Sequence, residues 1–248
     1  MLASRNIFGM SNQEVLVQSY LEGTEYIVDT VSSDGNHYVC GVWEYEKSLL
    51  PSGQNIYDKD ILLDPRAHPV PELVSYVTAV LGVLNIKWGA AHAEVIMTPD
   101  GPALVEVGAR LNGNMHPRFH DVCLGHNQAG LTAQAYLHPA EFRCAYGGKV
   151  YRRLQPAVVY NAPTVFDGIV AQVDQSAVDE IGRLESVYLV SVKLKPGSRI
   201  RPTVDLPSSP LRVYLTGASS EQLVSDYAKI RRLKDRVYRL AAVQERRA

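Results

Sequence analysis

Two acidic residues interrupt two short apolar runs in Ala91–Asn114, AHAEVIMTPDGPALVEVGARLNGN. Glu94 lies in the run His92–Met97, and Glu106 in the run Ala103–Val107. Between them Pro99, Asp100 and Gly101 spell a turn, with Gly101 suited to a positive φ. A turn of three or five residues centred there sets Glu94 directly across from Glu106, since both lie six residues from Asp100. Their Cβ atoms would then be about 5 Å apart, and facing like charges destabilise a strand pair. A cation removes that penalty. Two carboxylates with room for phosphate oxygens and water suit Mg²⁺, which takes few protein ligands. A two-residue Asp-Gly turn would instead put the acids on opposite faces, one of them solvated. Both registers are open at this stage.

The segment after the hairpin adds to the set. Arg110 stands four residues past Glu106, and Leu111-Asn112-Gly113-Asn114 forms a turn that exposes backbone N–H groups. An arginine after a strand is by itself an ordinary surface ion pair. Carboxylates for a metal, a guanidinium for phosphate and loop amides for developing charge are together what phosphoryl transfer requires.

HAEV…GPALVEVGARLNG resembles the metal-binding hairpin and following loop of ATP-grasp carboxylate–amine ligases, in particular the bacterial group that includes the L-amino acid ligases. A second anchor, Val15–Asp29 (VLVQSYLEGTEYIVD), is similar to the family's adenine hinge and the strand after it. The resemblance implies that backbone around Gln18, Ser19, Tyr20 and Leu21 meets adenine and that Glu25 meets the ribose hydroxyls. It implies that Glu94 and Glu106 hold Mg²⁺ (or Mn²⁺), that Arg110 contacts phosphate or an acyl phosphate, and that Gly113 offers an amide to the oxyanion. His92 falls where the family often places a phosphate-contacting side chain. Two positions depart from the pattern: Ser19 stands where a charged hinge residue is common, and Gly108 replaces an asparagine that often serves as a further metal ligand. The family's N-terminal Rossmann-like domain, lysine-bearing subdomain and glycine-rich loop have no counterpart before residue 18, since Ser4–Gly9 is too short to supply the loop. The expectation is a fragment, a chain completed by a second polypeptide, or a degenerate relative.

Composition sets the wider frame. The chain has 248 residues, 46% hydrophobic and 21% charged, which fits a soluble globular protein of one or two domains. A net charge of −1 argues against nucleic-acid or membrane-surface partners. The N-terminus lacks the apolar core of a secretory signal, and three cysteines without motif spacing suit a reducing cytoplasm.

Periodicity predicts a hairpin, Glu25–Ser32 with His37–Tyr45, turning at Asp34-Gly35, then a loop through Leu49–Pro71. A helix follows at the spacing of Leu73, Val77, Leu81 and Leu84, packed on the acidic hairpin. A shorter helix over Gln128–Leu137 stops at Pro139. Strands are expected at Val150–Tyr160, Gly168–Val173, Val187–Leu194 and Leu211–Leu215, with a type II turn at Lys195–Ser198. A capped C-terminal helix should cover Ser220–Arg247. The expected fold is α+β: residues 1–145 as the C-terminal part of an ATP-grasp domain, then 146–248 as a β-rich lobe with a terminal helix. His116, His120, Cys123 and His126 lack a zinc-knuckle spacing, and Pro117 interrupts them; His116 and His120 are expected to make polar contacts on the substrate side of the loop. Lys47 is expected at a solvated strand end, with a substrate carboxylate as the sharper reading.

The implied activity is an ADP-forming ligase joining a small carboxylate to an amine, with amino acids as the expected substrates and ATP and Mg²⁺ as cofactors. The alternative is a non-catalytic nucleotide-binding or subunit-interaction module descended from such an enzyme.

Overall fold

The computed structural model describes residues 9–15, 17–49, 53 and 55–241. Leu16 of the hinge segment, Ser4–Phe8 and the last residues of the expected C-terminal helix lie outside them.

The first hairpin joins β1 (Thr24–Ser33) to β2 (Asn36–Leu49). Asp34 and Gly35 both take positive φ, 51° and 74°, as a twist-matched two-residue turn demands. Successive residues Tyr26, Ile27 and Val28 are all buried, so β1 is covered on both faces. A strand the sequence hides, β3 (Asn55–Leu62), pairs with the other edge of β2 inside the stretch expected to be a loop. Its buried alternation is Ile56, Asp58, Asp60, Leu62, and the two aspartates mask it.

After α1 (Val70–Val83), β4 (Gly89–Thr98) and β5 (Gly101–Gly108) form the acidic hairpin, and β4 pairs with β1. Three helices follow: α2 (Pro117–Leu124), α3 (Gln128–Leu137) and α4 (Pro139–Tyr146). Helix α3 ends just before Pro139, as expected, and Pro139, like Pro117, also opens the helix that follows, because proline lacks only an N–H that the first turn leaves unused.

The remaining elements are β6 (Ala157–Ala162), β7 (Gly168–Val173), α5 (Gln175–Gly182), β8 (Val187–Val192), β9 (Arg199–Ile200), β10 (Leu211–Thr216), α6 (Ser220–Leu233) and β11 (Tyr238–Leu240). The expected strand from Val150 thus begins only at Ala157. The expected long terminal helix ends at Leu233, and Tyr238–Leu240 pairs with β7 as a strand. Ser219 caps α6 by accepting the Gln222 N–H, as anticipated. Gly197, at φ 87°, and the Ser198 N–H to Lys195 carbonyl bond give the expected turn.

One eight-stranded antiparallel sheet, β5-β4-β1-β2-β3-β6-β10-β8, carries strands from both sides of residue 145; β11-β7-β9 form a small second sheet. One hydrophobic cluster joins β1, β2 and β4 to α1–α4, and a second joins β6, β8 and β10 to α5 and α6. No helix among the described residues is long and apolar enough to cross a membrane.

Helix α1 buries Leu73, Val77 and Leu81, and the Tyr76 hydroxyl accepts the Leu104 N–H at 3.0 Å, tying the helix to β5. Tyr76→Phe should leave that N–H without its partner and lower stability by about 1 kcal/mol. Urea unfolding checks this as a lower midpoint at unchanged slope.

Candidate active site on one face of the sheet

The acidic hairpin reaches its register by an unexpected route. Thr98 pairs with Gly101, so the turn itself is only Pro99-Asp100, and from Thr98 to Val95 the pairs follow that two-residue turn. Continued, that register would set Glu94 against Val105. A bulge between Val95 and Glu94 adds Val105 to β5 and shifts Glu94 to face Glu106 directly. Tyr76 holds the neighbouring Leu104 N–H at this irregularity.

Arg110 returns toward the same place, with Nη2 3.9 Å from Glu106 Oε1 and Nη1 donating to the Leu111 carbonyl at 3.0 Å. Gly108 makes room for it: a Cβ there would stand 3.2 Å from Arg110 Cγ and Nε. Gly113 is exposed, and a Cβ there would meet nothing within 4 Å.

Under the loop lies a buried polar network. Asp29 Oδ1 meets His92 Nδ1 at 2.7 Å, and Asp29 Oδ2 accepts the Asn112 side-chain amide at 2.8 Å. The Asn112 backbone N–H donates to Gln128 Oε1 at 2.8 Å, while Gln128 Nε2 donates to the carbonyls of Thr30 and Ala91. Asn112 Oδ1 accepts the Asn114 N–H at 2.8 Å and sets the turn around Gly113. His92 Nε2 reaches Glu94 Oε1 at 3.3 Å. Burial works against the charged imidazolium, but hydrogen bonds to Asp29 and Glu94 outweigh it and raise the His92 pKa to about 9. Asp29 and Asn112 lie inside the two quoted stretches but had no role assigned there, and Gln128 lies outside both. Their only signals were an aspartate inside an apolar strand and an asparagine next to Gly113.

Both nitrogens of His92 are committed, so a metal between the acids would meet carboxylate oxygens alone. That donor set fits a hard cation such as Mg²⁺ or Mn²⁺ and not zinc. Among the described residues no three His, Cys, Asp or Glu side chains gather into a metal cage.

Glu25, buried on the same face, holds Lys47 Nζ at 2.5 Å and accepts the Tyr57 hydroxyl at 3.1 Å. Lys47, exposed near the end of β2 as expected, also pairs with the buried Glu25. Gln18, Ser19 and Tyr20 are exposed and Leu21 partly so, on a segment without regular structure that leads into β1.

The histidines of α2 are structural. His116 Nδ1 caps the helix by accepting the Phe119 N–H at 3.3 Å. His120 stacks on Trp43 with ring centroids 5.2 Å apart, and His126 meets the Cys40 carbonyl at 3.1 Å. His116 also packs on Tyr214, with ring centroids 5.2 Å apart. Burial pushes His120 from 6.5 down to about 4, so it is neutral when folded.

No family model matches the chain. It is 31% identical over 246 residues to dapdiamide A synthase of Enterobacter agglomerans, covering 98% of this chain and 57% of that protein. The fold is similar to an L-amino acid ligase from Bacillus licheniformis (TM-score 0.72, 23% identity, 91% of this chain and 53% of that one). It is similar also to phosphoribosylglycinamide synthetase from Anaerococcus prevotii (TM-score 0.67, 11% identity, 90% and 55%). The chain thus spans little more than half the length of these relatives.

The depressed His120 pKa has a stability consequence with a definite sign. Above pH 6.5 the imidazole is neutral in both folded and unfolded chains. Between 6.5 and about 4 only the unfolded chain takes up the proton, so stability falls as pH falls through that window, by about 3 kcal/mol. His120→Phe, which keeps a ring against Trp43, should remove this part of the acid sensitivity. The difference between the two unfolding free energies, measured from pH 7 to 4, gives the check.

Proposed function

This chain is a member of the ATP-grasp ligases by sequence and fold, matching their C-terminal portion, and on that premise we propose that it serves an ADP-forming carboxylate–amine ligation. The carrying observation is the cross-strand pair Glu94–Glu106 with Arg110 beside it. Relatives named as a synthase and an L-amino acid ligase support amino acids as substrates.

In this reading Gln18–Leu21 and Glu25 receive adenosine, and Glu94 and Glu106 hold Mg²⁺. Mg²⁺, when bound, neutralises charge on the nucleotide phosphates. The γ-phosphoryl group passes from ATP to a substrate carboxylate, giving ADP and an acyl phosphate. The amine then attacks the acyl carbon, loses a proton, and expels inorganic phosphate to leave an amide. Arg110 steadies the transferring phosphate, and the Gly113 amide points at the oxygen that gains negative charge. The protein supplies position and fixed charge and no covalent nucleophile. The lysines and glycine-rich loop of the family's other half would clamp the phosphates, from a segment or partner outside this sequence.

Glu94→Gln and Glu106→Gln should each weaken binding of Mn²⁺·ADP at least tenfold while leaving the circular dichroism spectrum unchanged. Electron paramagnetic resonance of Mn²⁺ reads this directly, and parental affinity in both variants would overturn the metal assignment. In an assembly that supplies the phosphate-clamping half, Arg110→Ala should reduce amine-dependent ADP release by about 10²–10³.

A further inference from the structure

We propose that Arg212 and Lys193 form a subsite for the carboxylate of the amine substrate, which makes that substrate an amino acid or short amino-carboxylate. The proposal rests on the ligase reading above and adds a subsite to it.

Arg212 lies on β10 with its Nε donating to Asn161 Oδ1 at 2.7 Å. Asn161, fully buried, donates its own Nδ2 to the buried Asp60 at 3.4 Å. The guanidinium is thus held through Nε, which leaves its two Nη groups for another acceptor. Across the strand pair Arg212 opposes Ser191, and Lys193, two residues on, falls on the same side. Neither cation takes part in an ion pair among the described residues. Burial and the nearby Arg212 charge bring the Lys193 ammonium down to about 8, against the opposing effect of Asp205. Asp60 is an incomplete counter-ion, since burial raises it to about 7. Two neighbouring cations without a full counter-charge favour an anion. A fixed guanidinium fork suits a planar carboxylate.

The position fits the reaction. The loop that starts at Arg110 ends at His116, whose ring packs on Tyr214 of β10 at 5.2 Å and on Tyr188 at 6.2 Å. Arg212 is two residues from Tyr214 along the same face, about 7 Å. Gly113 is three residues before His116, at most about 10 Å of chain. Arg212 thus lies on the strand that anchors the far end of the Gly113 loop, and Asp60, which it reaches through Asn161, feels the charges of Asp29 and His92 beneath that loop.

The test uses the full chain and the Arg212 Nε–H resonance, which the Asn161 bond should protect from exchange. Titration with L-alanyl-L-alanine should move that signal saturably, and the dipeptide's C-terminal amide should bind at least tenfold more weakly. Lys193→Met, at an exposed site, should weaken dipeptide binding about fivefold or more; Arg212→Gln should abolish it. Equal binding of acid and amide, or no binding of either, overturns the subsite. Tighter binding of inorganic phosphate than of the dipeptide also overturns it, in favour of a phosphorylated ligand. Mn²⁺·ADP binding measured on the same samples separates the two levels. If it is retained while the dipeptide fails, only the subsite is wrong; if both fail, the ligase reading falls with it.

Discussion

The buried carboxylate of Asp29 is the contact on which the rest of the site depends. It sits in the central strand β1, which neighbours cover on both faces, and a lone charge there would be costly. Two partners resolve that cost: His92 from β4 on one oxygen and Asn112 from the loop after β5 on the other. Each partner is then fixed in turn. His92 steadies Glu94, and Asn112 shapes the turn that presents Gly113. Gln128 completes the arrangement by bonding the Asn112 backbone and two carbonyls of β1 and β4, next to the irregularity between Asp29 and Thr30. A single buried acid thereby steadies both Glu94 and the loop that carries Gly113. In a low-dielectric interior a network of this kind is rigid when every member is satisfied and fragile when one is removed.

Bulges make the same face usable. A regular two-residue hairpin would have put the acids out of register, and Val105 restores their pairing at the cost of a disrupted ladder that Tyr76 repairs. A second irregularity, between Glu46 and Lys47, skips Asp58 and lets Lys47 and Tyr57 reach Glu25. Asp58 is left to bond the Tyr227 hydroxyl from α6. Strand alternation alone would not have delivered these side chains to one surface. The extra residues re-aim them, which is what bulges beside binding sites commonly do.

How much of this was legible in the sequence depends on how local each feature is. The pairing of Glu94 with Glu106 could be weighed because turn and strands are contiguous, yet the actual register came from a shorter turn plus a bulge. Hairpin β1–β2, helix α1 and the Lys195–Ser198 turn follow from local chemistry and stand where expected. Strand β3 was hidden because buried aspartates at 58 and 60 imitate a loop until Tyr227 and Asn161 are known to be their partners. Pro139 marks the end of α3 as read, and both it and Pro117 serve in addition as first-turn residues. The Asp29 network was beyond reach, since its members lie 63 and 83 residues from Asp29. The C-terminal helix was overextended because Val237 and Leu240 continue its apolar spacing while packing, in fact, on the second core.

The boundary expected near residue 145 is a change of composition more than a break in the sheet. β6, from beyond it, pairs with β3 on one side and β10 on the other, so the sheet passes through without interruption. Helix α2 reinforces the joint: Phe119 and His116 pack on Tyr214 of β10, while His120 stacks on Trp43 of β2. The loop carrying Arg110 and Gly113 is therefore held at one end by the acidic hairpin and at the other by the C-terminal strands. That double attachment ties the outer strands, and with them Arg212, to the far end of the loop. It also explains why α2 can spend its histidines on packing and capping. Its role is to fix the distance between the two ends of the loop, through close packing of rings against Trp43 and Tyr214.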